Sequence, residues 1–369
     1  MRRTTPGAVL GRRTLNRALL DRQLLLGRSG MSAVEAVGHL VGLQSQAPHA
    51  AYAALWTRLE GFAFGDLSRL LLDRAVVRIA LLRGTVHLVT ADDALRLRPV
   101  LQPLLDRQIA QGSWGPGVRG VDRDEAVAAC RELVEAEPRT PGELRELLGP
   151  RWPDADPASL ANALRNWLPL VQVPPRGVWG VSGRTAYTTA DAWLGRPPVA
   201  PPDPRALVRR YLAAFGPASV ADAQKWSGLT GLREVFAAMG LRGYRDEEGR
   251  VLYDDPDAAP LPDPDLPVGA RFVADFDNLV LSHADRSRIL AREHVRRVMT
   301  ANGIVRGTVL VDGFVGGTWS TGRARGSAVV TVVPFAPLAA ADRDALEAEG
   351  RRLLAASDPE ADHHDVRFA

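Results

Sequence analysis

The sequence predicts an α+β protein: three tandem winged-helix units followed by a small C-terminal β-barrel with one helix. Three observations predict it. A helix-start signal recurs three times, each time between helical stretches and ahead of paired extended runs. Two proline-rich segments, "GRPPVAPPDP" at 195–204 and "DDPDAAPLPDPDLPVG" at 254–269, fall where neither helix nor central strand can continue. Beyond the second, the chain turns to alternating, glycine-punctuated runs typical of strands.

The helix-start signals are Ser32-Ala-Val-Glu35, Thr140-Pro-Gly-Glu143 and Ser219-Val-Ala-Asp222. In each, a hydroxyl can accept from a free backbone N–H while an acid three residues on reaches back to the cap. That acid also lies at the positive end of the helix dipole. Amphipathic helices precede the signals at about 13–26, 123–136 and 204–215. Third helical stretches follow near 49–59 (with a further turn at 65–73), 157–167 and 231–239. Each unit then closes in short extended runs. The first are "VVRIALLRG" and "TVHLVT". The second are "LVQVPP", "VWGV" and "TAYTT". The third is "LRGYRDEEGRVLYDD", with its turn at Glu247-Glu248-Gly249. Helix, helix, helix, hairpin is the order of a winged helix.

These signals divide the chain into units at 1–120, 121–200 and 201–260, with the barrel at 261–369. In the last region "VDGFVGGTW" predicts a tight hairpin turning at Asp312-Gly313. An amphipathic, acidic helix is expected at about 338–357. The tail "DPEADHHDVRFA" reads as frayed; His363 and His364 offer ligand atoms, but a solvated tail explains them more simply.

A length of 369 residues agrees with two or three units. No apolar run approaches the ~18 residues of a membrane span. The basic N-terminus lacks the apolar stretch of a secretory signal. Cys130 is the sole cysteine, which excludes an internal disulfide and a cysteine-rich zinc site and points to a reducing cytoplasm. Charge is uneven. Residues 1–120 carry 16 arginines against 8 acids, a balance of +8, whereas the rest carry 30 basic and 35 acidic residues, a balance of −5. A basic N-terminal third calls for a polyanionic partner. Walker, zincin, paired CxxC and dinucleotide signatures are absent, so neither cofactor nor metal is expected. The glycine-rich run at 112–120, "GSWGPGVRG", has no strand before it and reads as a loop.

Several blocks carry a resemblance: "LNRALLDRQLLL", "VGLQSQAPHAAYAALWTRLEGF", "LRGTVHLVTADD", "YLAAFGPASVADAQKWSGL", "FDNLVLSHADRSRIL" and "VLVDGFVGGTW". Together, and in this order, they resemble the AlkZ/YcaQ family of winged-helix DNA glycosylases, over about residues 10–354. The resemblance implies a C-shaped scaffold of tandem winged helices and a C-terminal barrel, with duplex DNA in a basic channel. It implies excision of alkylated purines, typically N7-alkylguanines, and in some members of bulky adducts or crosslinks made by natural-product toxins. The family's Gln-x-Gln signature matches Gln44-Ser45-Gln46; the middle residue is usually aliphatic, so Ser45 departs from the pattern.

Two glutamines suffice for such a substrate on chemical grounds. An N7-alkylated guanine is cationic and departs as a neutral base, so a general acid is unnecessary. What remains is to hold a water and to favour an oxocarbenium-like sugar. Amide carbonyls accept from water and turn their dipoles to positive charge. Gln46 is assigned the water and Gln44 the lesion or sugar. The bland alternative is a pair of amides capping a helix C-terminus. Lys225, the only lysine, is far from the glutamines in sequence. A strand-nicking glycosylase needs an amine for a Schiff base, so a monofunctional enzyme is expected; the chain is also expected to be a monomer.

Other candidate DNA contacts are Arg83 and His87 at the first wing, Arg286 in "SHADRSR", and Arg323 and Arg325 in "TGRARG", a basic hairpin tip suited to a groove or a phosphate. Asp277 and Asn278, with Ser45, are candidates for the vicinity of the substrate. The bland reading of the cluster around Asp277, His283 and Asp285 is an internal ion-pair network. Trp319 fits the core. The rival functional reading is a non-enzymatic winged-helix DNA-binding regulator or a lesion-binding relative.

Overall fold

A computed structural model describes residues 7–324 and 326–369. The chain opens with strand β1 (Val9–Leu10) and helix α1 (Arg12–Arg22), then α2 (Ala33–His39), strand β2 (Leu43–Gln44), α3 (Ala50–Trp56) and α4 (Phe64–Leu72). Strands β3 (Val76–Ala80) and β4 (Val86–Thr90) lead into a long helix, α5 (Ala91–Gln111). Next come α6 (Arg123–Ala136), α7 (Pro141–Leu148), α8 (Pro157–Trp167), β5 (Leu170–Gln172), β6 (Tyr187–Thr189) and α9 (Ala190–Leu194). The third set is α10 (Pro204–Phe215), α11 (Val220–Ser227), α12 (Leu232–Ala237), β7 (Arg242–Asp246) and β8 (Val251–Asp254). The chain finishes with β9 (Arg271–Val273), α13 (Asn278–Leu281), α14 (Val295–Val298), β10 (Thr308–Val311), β11 (Phe314–Ala324), β12 (Ser327–Pro334), α15 (Ala340–Ser357) and β13 (His363–Phe368).

All three helix-start signals form reciprocal capping boxes, at the N-termini of α2, α7 and α11. The second and third sets each run through three helices into a pair of strands, whereas the first has four helices, with β2 between α2 and α3. The strand pairs of the first two sets do not stay separate. Strands β2, β4, β3, β5 and β6 make one five-stranded sheet, because β3 of the first set pairs antiparallel with β5 of the second. The expected "VWGV" run forms no strand and lies in the connection between β5 and β6. Helix α5 is not anticipated from the sequence: Pro99 and Pro103 lie inside it, and prolines ordinarily break a helix interior. Strand β1 pairs parallel with β7, tying the start of the chain to the third set.

The expected barrel is not formed. The C-terminal strands make an open sheet of order β13-β12-β11-β10-β9, with β9 and β13 at its edges. The tail is not frayed either; β13 pairs parallel with β12 over six residues, His363 to Phe368. Helix α15 covers one face, close enough that a Cβ on Gly350 would stand 3.1 Å from Val330 and 3.2 Å from Phe272. With that face covered, the sheet buries its apolar side without closing. The turn at Asp312-Gly313 joins β10 and β11 as expected, with φ of 44° and 78°.

One core joins much of the molecule. It includes Leu101 on α5, Tyr211 and Phe215 on α10, Trp226 on α11, Val89 on β4 and Val273 on β9. The second helical set has its own core around Cys130, Leu144 and Leu164.

Candidate active site

The Gln44-Ser45-Gln46 segment leaves α2 through a tight corner. Val41 has φ of 56° and Gly42 of 88°. For a β-branched residue such a φ is a true outlier, and outliers of this kind gather at functional sites. Gly42 is required by contact as well as by φ: a Cβ there would stand 2.5 Å from a Val89 methyl and 3.0 Å from the Leu88 carbonyl. The close approach lets Leu43 and Gln44 pair with Leu88 and His87 at the edge of the sheet. Ser45 N–H continues the ladder by donating to the Val86 carbonyl at 2.8 Å.

The two amides differ. Gln44 is only 8% exposed, and its Oε1 accepts from Arg83 Nη2 at 2.7 Å. Gln46 is exposed and its Oε1 lies a long 3.5 Å from the Val86 N–H. The first amide is anchored and the second is free to meet solvent or a ligand.

Arg83 is the hub. It stands on the turn between β3 and β4 with φ of 56°. Its Nη1 donates to the Trp226 carbonyl at 2.6 Å, and its own carbonyl accepts from Gln108 of α5 at 2.9 Å. Burial, then repulsion from Arg286, lowers its pKa to about 10. His87 is fully buried. Burial, then Arg83, holds its imidazole down to about 3, so the ring is neutral. Its Nδ1 sits 3.0 Å from the Thr85 carbonyl and its Nε2 3.3 Å from Arg83. The proton therefore belongs on Nδ1, and the Nε2 lone pair faces the guanidinium. His87 is enclosed, whereas Arg83 is half-buried and spends its guanidinium on Gln44 and the Trp226 carbonyl.

Behind the corner, Asn278 Nδ2 donates to the Gly42 carbonyl at 2.7 Å. Asn278 is 1% exposed, and this bond ties it to the segment. Asp277 is likewise closed off. It forms a bidentate pair with Arg58, both contacts 2.8 Å, and neither side chain has exposed surface. An internal ion pair thus occupies both Asp277 oxygens. Arg286 donates through Nε to the Val280 carbonyl at 2.7 Å and is near enough to act on Arg83. Arg323 is elsewhere, on the long β11–β12 hairpin, where it is paired with Asp358. Arg325 lies outside the described residues. Trp319 is half-buried and packs against the core, its Nε1 donating to the Val273 carbonyl at 2.8 Å. His364 is paired to the Asp358 carbonyl at 2.9 Å within the tail strand, and no metal-ligating cluster occurs among the described residues.

Three features escape the sequence reading. Arg78, on β3, is 2% exposed and bonds Ser45. Its signal was a lone charge inside the apolar run "VVRIA". His49 and Trp179 lie 5.0 Å apart by ring centroids near Gln46 in the chain. Burial, then Arg176 and Arg78, lowers the His49 pKa. Third, α11 docks on the Arg83 turn through Trp226, so the exposed Lys225 is less remote from Gln44 than the sequence separation suggests.

An anchored and a free amide at a strained corner, braced by arginine and neutral histidine, are set in a mixed α+β scaffold. Residues 37–356 match the family model of AlkZ-like DNA glycosylases, and the chain belongs to that family. Membership implies glycosylase activity on DNA. Among known proteins, an interstrand DNA cross-link repair glycosylase of Streptomyces sahachiroi is 26% identical over 325 residues, covering 81% of this chain and 85% of that one. The solved structure of the Streptomyces sahachiroi DNA glycosylase AlkZ shares the fold, with a TM-score of 0.79 at 22% identity, over 98% of this chain and 100% of that one. No helix among the described residues is long and apolar enough to cross a membrane.

Proposed function

We propose that the protein is a monofunctional glycosylase that hydrolyses the N-glycosidic bond of N7-alkylated purines in duplex DNA, bulky guanine adducts and interstrand crosslinks included. In this reading each recurring set of helices and strands is a winged-helix unit, with units at 1–120, 121–200 and 201–260, and the chain acts as a monomer. The observation that carries the reading is the contrast between the two amides: Gln46 exposed, Gln44 held by Arg83 at 2.7 Å. Gln46 positions the water. Gln44, fixed in place, contacts the lesion or its sugar. Asp277, the acid in the matching block nearest this corner, is committed to Arg58 and supplies no general base.

The chemistry follows from the substrate. A cationic base leaves as a neutral molecule, so protonation contributes little. A carbonyl dipole aimed at the positive sugar stabilises the transition state without reorganising. Neutral amides also lack the strength to release unmodified purines, which confines the activity to damage. The crosslink activity of the Streptomyces sahachiroi relative supports extending the substrate to crosslinks.

Single-turnover excision from a duplex with one N7-methylguanine, read by alkaline cleavage of the abasic site, tests this. Gln46→Ala should slow excision by about 10²–10³, the usual loss for one preorganised polar group. Wild-type rates would end the assignment. Borohydride added to the same reactions should trap no covalent adduct; an adduct lost in Lys225→Ala would overturn the monofunctional reading.

A further inference from the structure

The side chain of Arg78 has no role in the reaction as described. It is buried beneath the candidate site, and its Nε donates to Ser45 Oγ at 3.1 Å while Nη2 donates to the Ser45 carbonyl at 2.9 Å. Both oxygens of the middle residue of Gln44-Ser45-Gln46 are thus held by one planar group. Its other face lies under backbone: a Cβ on Gly177 would stand 3.1 Å from Arg78 Cδ and 3.4 Å from Nη1. Gly177 is fixed in turn by Tyr52, whose hydroxyl donates to its carbonyl at 2.7 Å. The guanidinium is clamped between a rigid wall and the segment that carries the two amides.

The arrangement is poor for stability. Nη1 is buried with no partner. The charged and titratable groups around Arg78 are Arg176, His49, Tyr187 and Tyr52, none of them a carboxylate. Gln172, its register partner on β5, has a buried Oε1 that is also unbonded, yet the fork is turned to Ser45. An uncompensated buried cation is unfavourable, and such unfavourable arrangements persist where activity needs them.

We propose that Arg78 is a positioning residue for excision: by holding both Ser45 oxygens it fixes the direction of the flanking Gln44 and Gln46 amides. Ser45 and Arg78 act as one unit, the serine supplying the second acceptor that locks the fork's angle. The inference rests on the reading of Gln44 and Gln46 as the groups that act on substrate. A planar bidentate fork specifies orientation as well as distance. Displacing a reacting group by about 1 Å can lower a rate about 100-fold.

The test is single-turnover excision, duplex affinity and thermal melting on the full chain. Arg78→Met should slow excision by about 10- to 100-fold, with duplex affinity unchanged and a melting temperature equal to or above wild type. Arg78→Lys, which keeps one donor without the fork, should fall between. Ser45→Ala, which removes one bond and little volume, should slow excision roughly fivefold. Wild-type excision by Arg78→Met or by Ser45→Ala overturns the proposal. A lower melting temperature, failure to fold or weaker DNA binding in Arg78→Met also overturns it, since Arg78 would then be structural. Gln46→Ala separates the two ideas. If that variant excises at the wild-type rate, the glutamine reading fails and the proposal fails with it. If Gln46→Ala is slow while Arg78→Met is not, the proposal fails alone.

Discussion

His87 illustrates what burial does to a single side chain at this site. Its folded-state pKa of about 3 lies below the ordinary 6.5, so the unfolded chain takes up a proton first. Its contribution is complete above about pH 6.5 and is lost as pH falls from there toward 3, at about 1.4 kcal/mol per pH unit. Urea unfolding at a series of pH values checks this: His87→Gln should flatten the slope between pH 6 and 4 by roughly one proton. The excision rate should show no step from His87 near pH 6.5, since the ring stays neutral throughout. At this scale the sequence was partly legible. Gln44 and Gln46 stand out because two amides at a helix end are unusual. The partners of Arg83 were not legible, because one of its bonds goes to Trp226 on α11, more than a hundred residues away. Arg78 was visible as a charge in an apolar run, but its partner Ser45 is set by how β2 lies against the sheet.

Strand β2 is only two residues long, and it reaches β4 through Gly42. Gly42→Ala forces a methyl to 2.5 Å from Val89 and 3.0 Å from a carbonyl, at a φ that L residues rarely adopt. The expected result is a loss of at least about 1 kcal/mol in stability and a drop in excision larger than any change in duplex affinity. Denaturant unfolding and single-turnover kinetics on one preparation would check both. Local signals sufficed for the caps, because a capping box is built from four consecutive residues. They failed for α5, whose two prolines are tolerated in place, and for β13, whose pairing with β12 joins segments separated by the whole of α15. The barrel failed for the same reason. Strand alternation records which faces are buried, not whether the first and last strands meet.

Across the whole molecule, the sign of charge changes along the chain: +8 over residues 1–120 and −5 over the remainder. Affinity for undamaged duplex should therefore be weak, fall steeply with salt and owe its slope to the N-terminal third. A tenfold or greater loss between 50 and 200 mM salt, measured by fluorescence anisotropy, is expected of several phosphate contacts. A flat salt response would remove duplex DNA as the partner of that surface.

The pairing of β1 with β7 also bears on how the chain is made. Val9 and Leu10 find their partners only at Arg245 and Asp246, and Arg22 of α1 closes on Asp254 with contacts of 2.7 and 2.8 Å. Synthesis must therefore pass Arg245 and Asp246 before Val9 and Leu10 can pair. Until then Leu10, Leu15, Leu19 and Leu20, all buried at the end, stay open to chaperones and to other nascent chains. Contacts this distant in sequence slow folding and expose intermediates to aggregation. The time between synthesis of α1 and of β7 therefore sets how long those leucines stay open, whatever the stability of the finished molecule.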